Sequence, residues 1–198
     1  MTGRLDVVGI PAGGWSELGE SARRLIVEAE VLIGGRRHLD LVPDREGVER
    51  LTWPSPLRQG LTALLDRLTS RRAVVLASGD PLVSGIGSTL IELLGPEVVR
   101  IHPAVSSVAL ARARMRWSSE SVQVVSLVAR ELALVRRYVT PGQRLIVLSA
   151  GSRTPAELAA LVTAIGYGAS AFTVLGDLGT DQESMRTLTA AGAGDQLA

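Results

Sequence analysis

Short apolar runs recur along the chain, each closed by glycine, proline or serine, and amphipathic stretches fill the intervals. Leu5–Ile10 is the first, broken by Pro11-Ala12-Gly13-Gly14. Over Glu20–Glu30 the positions Ala22, Leu25, Ile26 and Ala29 share one helical face. Val31–Ile33 reads as a second strand ended by Gly34-Gly35, and Leu39–Leu41 as a short turn or helix before Pro43. Thr52–Pro56 is extended and proline-rich. A helix is predicted over Leu57–Leu68, a buried strand over Ala73–Ala77, and a helix through Leu90, Ile91 and Leu94. Val98–Ile101 is a further strand, and Val105-Ser106-Ser107 opens a helix reaching about Met115. Strand alternating with helix predicts a mostly parallel sheet with right-handed crossovers.

Trp117-Ser118-Ser119-Glu120-Ser121 interrupts this rhythm with a polar stretch, which marks a hinge between domains 1–116 and 117–198. The second half repeats the theme: strands over Val122–Val128 and Arg144–Leu148, a helix over Glu131–Val139, and a helix over Pro155–Ile165 with proline in its first turn. Strands follow at Ser170–Leu175 and Ser184–Leu188. Residues 190–198 are small and polar and read as a frayed end. The expected fold class is α/β, with two α/β domains and no internal repeat.

Composition narrows the chemistry. With 46% hydrophobic and 21% charged residues the 198-residue chain is globular. A net charge of +1 gives no reason to expect a nucleic-acid partner, and 3% aromatics leave few stacking platforms. All 21 basic residues are arginine, which excludes a Schiff-base or phosphate-loop lysine and suits carboxylate recognition. There is no cysteine, and His38 and His102 stand far apart, each read as structural or solvated, so no metal site is expected. The amino terminus runs directly into a strand without signal-peptide character, and no apolar stretch reaches the roughly 18 residues of a membrane span. The expected location is cytoplasmic.

The densest signal is Val74–Gly87, a buried strand ending at Ser78-Gly79-Asp80-Pro81 and feeding a helix. Ligands of open α/β sheets bind at such carboxyl ends. Asp80 can accept hydrogen bonds from a ligand, or equally from its own turn. Gly9-Ile10-Pro11-Ala12-Gly13 does not satisfy the dinucleotide fingerprint. Ser106 or Ser107 can cap the following helix and leave free N–H groups facing a ligand. Arg36, Arg37, Arg112, Arg114 and Arg116 are either solvated or contact an acidic ligand.

On Val7-Val8-Gly9-Ile10, on Val31–Leu39 with its Gly-Gly-Arg-Arg, on Ala77–Leu90 and on Val105-Ser106-Ser107-Val108, the chain resembles the tetrapyrrole methylases. Val125-Ser126-Leu127 and Leu148–Pro155 extend the similarity over nearly the whole chain, which looks most like the precorrin-6Y / cobalt-precorrin-7 C5-methyltransferase group. The resemblance implies two α/β domains with a cofactor cleft between them, a homodimer, and S-adenosylmethionine as methyl donor to a corrin-ring precursor. It places Gly9, Gly79, Asp80, Val83, Ser106 and Ser107 at the cofactor, with closing loops after Leu148 and near Leu175. Arg36, Arg37 and Arg112 become candidates for substrate carboxylates. Three departures stand out. The first loop reads Ile-Pro-Ala-Gly where many relatives have Gly-x-Gly-Pro-Gly, and Val128-Ala129-Arg130 replaces a frequent His-Gly-Arg. The chain also stops at Ala198 without a further apolar strand, as a truncated piece or a form completed by another chain would, and without the second half that would supply C15 methylation and decarboxylation. A same-fold methylase with another substrate, and a non-catalytic cofactor- or corrinoid-binding protein, are the alternatives. The presence of cobalt in the macrocycle is left open.

Overall fold

The structure is a computed structural model that describes residues 4–68 and 71–197. The chain divides into two compact units after Ser106. The sequence places the boundary at Trp117 instead. The helix between the two points goes with the second unit, where its end is tied down: the Trp117 N–H donates to the Arg112 carbonyl at 3.0 Å, and the Arg144 guanidinium lies 5.4 Å from the Trp117 ring centroid.

The first unit runs β1 (Leu5–Ile10), α1 (Glu20–Glu28), β2 (Val31–Gly34), α2 (Arg36–Asp40), β3 (Glu49–Thr52), α3 (Leu57–Asp66), β4 (Ala73–Ser78), α4 (Ile86–Leu94) and β5 (Val99–His102). All five strands are parallel, in the order β3-β2-β4-β1-β5. β1, β2 and β4 are apolar nearly throughout because both faces of a parallel sheet are covered. Alternate side chains serve opposite layers. Val7, Ile33 and Val75 meet Leu61 and Leu65 of α3 and Leu90 of α4. Val8, Leu32 and Leu76 meet Ile26 of α1 and Leu39 of α2 on the other face. The sequence reading missed β3, whose Glu-Arg-Leu-Thr carries no apolar run. It is an edge strand, where charge is tolerated, and Arg50 within it donates to the carbonyls of Leu39 at 2.7 Å and Val42 at 3.0 Å.

The second unit contains α5 (Ser107–Met115), a parallel pair β6 (Gln123–Ser126) and β7 (Leu145–Leu148), α6 (Thr154–Val162), an antiparallel hairpin β8 (Ala171–Gly176) and β9 (Ser184–Thr189), and α7 (Ala190–Leu197). Its core joins Val125, Leu127, Val135 and Leu158. Two expectations are corrected. The helix expected over Glu131–Val139 is a 3₁₀ helix over Leu132–Arg137, because Leu132, Val135 and Tyr138 recur every third residue and so line up on its inner side. The expected frayed end is helical from Ala190. Thr189 caps it by accepting the Gly192 N–H at 3.2 Å, and the methyl side chains of Ala190 and Ala193, fully buried, allow α7 a close approach to α6.

The loop after β8 is held by one carboxylate. Glu183 accepts the Gly179 N–H at 2.8 Å and pairs with Arg114 of α5. The hydrogen bond from Arg114, then that from Gly179, lowers the Glu183 pKa to about 2. A depressed native pKa stabilises the fold above the unfolded value of about 4.5, and that contribution is lost as pH falls towards 2. Glu183→Gln is therefore expected to flatten the pH dependence of unfolding free energy between pH 4.5 and 2, measured by urea denaturation.

Candidate functional site

The carboxyl ends of β4, β1 and β5 lie side by side. The chain leaves β1 towards α1 on one face of the sheet and leaves β4 towards α4 on the other. The connections thus depart to opposite sides between β4 and β1, which makes this the topological switch point where ligands of open α/β sheets bind. Main chain ties the three ends together. The Gly79 N–H donates to the Ile10 carbonyl at 2.8 Å, and the Ala104 N–H donates to the Gly79 carbonyl at 3.0 Å. A Cβ on Gly9 would sit 1.7 Å from the Gly79 oxygen. Gly79 has φ +48°, and a Cβ there would lie 2.8 Å from the Val105 oxygen and 2.9 Å from Ser106 Cα. Both positions are glycine because backbone passes against backbone.

Asp80 is half-buried and shapes its own loop: Oδ1 accepts the Leu82 N–H at 2.9 Å, and the Asp80 carbonyl accepts the Val83 N–H at 3.0 Å. Pro81 is fully buried, and its carbonyl accepts the Gly87 N–H at 3.1 Å. Ser84, at φ +54°, completes the turn into α4. Of the residues assigned to the cofactor, the structure brings Gly9, Gly79, Asp80, Val83 and Ser106 to this one loop cluster, while Ser107 begins α5. Leu82, 48% exposed, and Val105, 57% exposed, present apolar side chains on two of the loops. Sequence pattern did not single them out, since isolated apolar loop residues are common.

Among the substrate candidates, Arg36 and Arg37 are exposed in α2, while Arg112 lies in α5 of the second unit with its Nε buried and unpartnered. The structure thus keeps Arg36 and Arg37 together in the first unit and places Arg112 in the second. His38 was legible only as an isolated histidine. It reaches 40 residues along the chain to Ser78, with Nε2 and Oγ 2.6 Å apart. Burial, then the Arg37 charge, holds its pKa below the ordinary histidine value. His102 pairs with Asp6 at 2.6 Å across β5 and β1. No group of three or more His, Cys, Asp or Glu side chains fit to hold a metal occurs among the described residues.

The second unit has an open cavity of about 680 Å³ between the segment after β6 and Ala150 after β7. Leu127, Ala129, Ala133 and Leu134 give it an apolar floor, with Arg130, Glu131 and Arg137 at its edge. Ala129 adopts φ +53°. The Val-Ala-Arg departure noted in the sequence therefore keeps a backbone shape that glycine takes without strain.

Residues 4–193 match the model of the Tetrapyrrole (Corrin/Porphyrin) Methylases. The chain belongs to this family. The precorrin-6Y C(5,15)-methyltransferase [decarboxylating] of Mycobacterium tuberculosis is 44% identical over 185 residues, covering 93% of this chain and 46% of that protein. The cobalt-precorrin-7 C(5)-methyltransferase of Salmonella typhimurium is 43% identical over 107 residues, 52% of this chain and 51% of its own. The chain thus spans about half the length of these relatives. Uroporphyrin-III C-methyl transferase from Thermus thermophilus, solved in complex with S-adenosyl homocysteine, shares the fold with a TM-score of 0.74 at 23% identity, over 99% of this chain and 87% of that one.

Gly9→Ala is expected to cost about 3 kcal/mol or more in guanidinium unfolding, because backbone rather than a yielding side chain blocks the new methyl. Gly151→Ala, with nothing within 4 Å of the added carbon, is the control and should change stability by under about 0.5 kcal/mol. Ala129→Gly should raise stability by about 0.5–1 kcal/mol in the same measurement, since relief of the positive φ outweighs the added chain entropy.

Proposed function

We propose that this chain is an S-adenosylmethionine-dependent methyltransferase acting at C5 of a corrin-ring precursor of the precorrin-6Y / cobalt-precorrin-7 type, in cobalamin biosynthesis. The observation that carries the reading is the main-chain crossing of Gly79 with Ile10 and Ala104, in a chain belonging to the tetrapyrrole methylases. The crossing brings main chain rather than bulky side chains to the switch point, which suits close backbone contact with a nucleoside-bearing cofactor. Gly9, Gly79, Asp80, Val83, Ser106 and Ser107 are the residues assigned to hold it. The cofactor supplies a methyl group already activated by a sulfonium charge.

What remains for the protein is alignment and exclusion of water. The Asp80 carboxylate spends Oδ1 on the Leu82 N–H, which fixes the loop and orients Oδ2. Exposed Leu82 and Val105 give an apolar lip that sheds water when covered by ligand. In the second unit, Arg130 and Arg137 at an apolar cavity suit a ring that carries carboxylates. On this reading the protein is a cytoplasmic homodimer, and sedimentation equilibrium measures its mass directly.

Calorimetric titration with S-adenosylhomocysteine, with NAD as the control ligand, tests the assignment. Saturable binding of the first and none of the second is expected; the reverse, or no binding to folded protein, overturns it. Asp80→Ala should weaken S-adenosylhomocysteine binding about tenfold or more, near 1.4 kcal/mol. Asp80→Asn, which still accepts the Leu82 N–H, should weaken it less.

A further inference from the structure

The bond between His38 and Ser78 ties α2 to the end of β4 but leaves the other ring nitrogen unsatisfied. The His38 Nδ1 is buried without a hydrogen-bond partner, and the ring stands beside the Arg37 charge, an arrangement that disfavours both burial and protonation. An unpaired buried polar atom works against folding. Such a local cost is tolerated where a site requires it. β2 and β4, the strands packed against α2, carry no titratable side chain that could offset it.

The ring is neutral near pH 7, because burial and Arg37 both favour the uncharged form. Of its two tautomers, the one with bare Nδ1 is favoured, since a buried orphan lone pair is less costly than a buried orphan N–H. Nε2–H then donates to Ser78 Oγ at 2.6 Å. The serine oxygen accepts that bond and keeps its own O–H to give. Ser78 is exposed and immediately precedes the Gly79 crossing. Arg36 and Arg37 are also exposed, and no side-chain hydrogen bond or ion pair of either occurs among the described residues.

We propose that the Ser78 hydroxyl and the guanidinium groups of Arg36 and Arg37 form a carboxylate-binding subsite for the acidic periphery of the substrate, with His38 as the positioning residue that orients the hydroxyl. The inference rests on the methylase reading above. It assigns roles in binding: Ser78 and the arginines touch the ligand, and His38 acts through Ser78. A bound carboxylate takes the serine proton in a hydrogen bond and meets the otherwise unpaired positive charge.

The chain has only two histidines, so ring signals in a ¹⁵N-histidine-labelled sample are unambiguous, and His102 serves as the internal reference. The probe is uroporphyrin, a stable porphyrin whose side chains are all carboxylic acids, compared with its fully amidated form. Uroporphyrin should bind and move the His38 signals while leaving those of His102 in place. The amide should bind at least tenfold more weakly. Ser78→Ala and Arg37→Ala should each weaken uroporphyrin binding at least tenfold, and Ser78→Thr, which keeps the hydroxyl, should restore it. His38→Phe should weaken binding as Ser78→Ala does, with no further loss in the double variant. S-adenosylhomocysteine titration of every sample separates the two readings. If S-adenosylhomocysteine binds but uroporphyrin does not, or binds all variants alike with His38 unmoved, the subsite is overturned and the methylase reading stands. If wild-type, folded protein binds neither, both fall together.

Discussion

The first unit depends on one main-chain contact, the passage of Gly79 between β1 and the segment after β5. Its N–H donates to the Ile10 carbonyl, and its own carbonyl accepts the Ala104 N–H. Three strand ends are thereby fixed to one another by groups that every residue possesses, and by the absence of Cβ atoms at Gly9 and Gly79. A backbone amide has no rotamers to lose, so a surface built from it is ordered before any ligand arrives. The sheet beneath supplies rigidity. Its three inner strands are buried on both faces, and Val and Ile at alternate positions lock them between two helical layers.

Much of this was legible in the sequence. β1, β2 and β4 announce themselves as apolar runs, and the turn residues that end them mark the site. The Ser-Gly-Asp-Pro segment carries the densest signal of the chain, and in the structure Asp80 makes the Asx-type bond within its own turn. What escaped did so for physical reasons. β3 is held by an edge pairing and by Arg50 reaching back to carbonyls, neither of which leaves an apolar pattern. The segment after β6 reads as an ordinary helix from its apolar content, but Leu132, Val135 and Tyr138 recur every third residue and pack with Val125 and Leu158, which holds the tighter winding. α7 looked unstructured because its residues are small, yet smallness is what lets it lie against α6.

The contact of His38 with Ser78 illustrates a second limit. Their separation of 40 residues carries no sequence signal, because it is the parallel neighbours β2 and β4 that bring the ends together. Arginine content likewise suggested carboxylate recognition without saying where. The structure distributes the arginines among different tasks: Arg50 binds carbonyls, Arg114 holds a loop, and Arg36 and Arg37 stay exposed. Residue type sets what a side chain can do, and tertiary placement decides whether it is already occupied.

The buried Pro81 has a further consequence. It anchors its loop from beneath, through its carbonyl and its ring, while Leu82 and Ser84, on either side of half-buried Val83, are exposed and belong to no strand. The frame and the exposed loop surface are thus carried by neighbouring residues: Gly9, Gly79 and Pro81 hold the backbone in place, and exchange of the exposed Leu82 or Val105 side chain is decoupled from that frame.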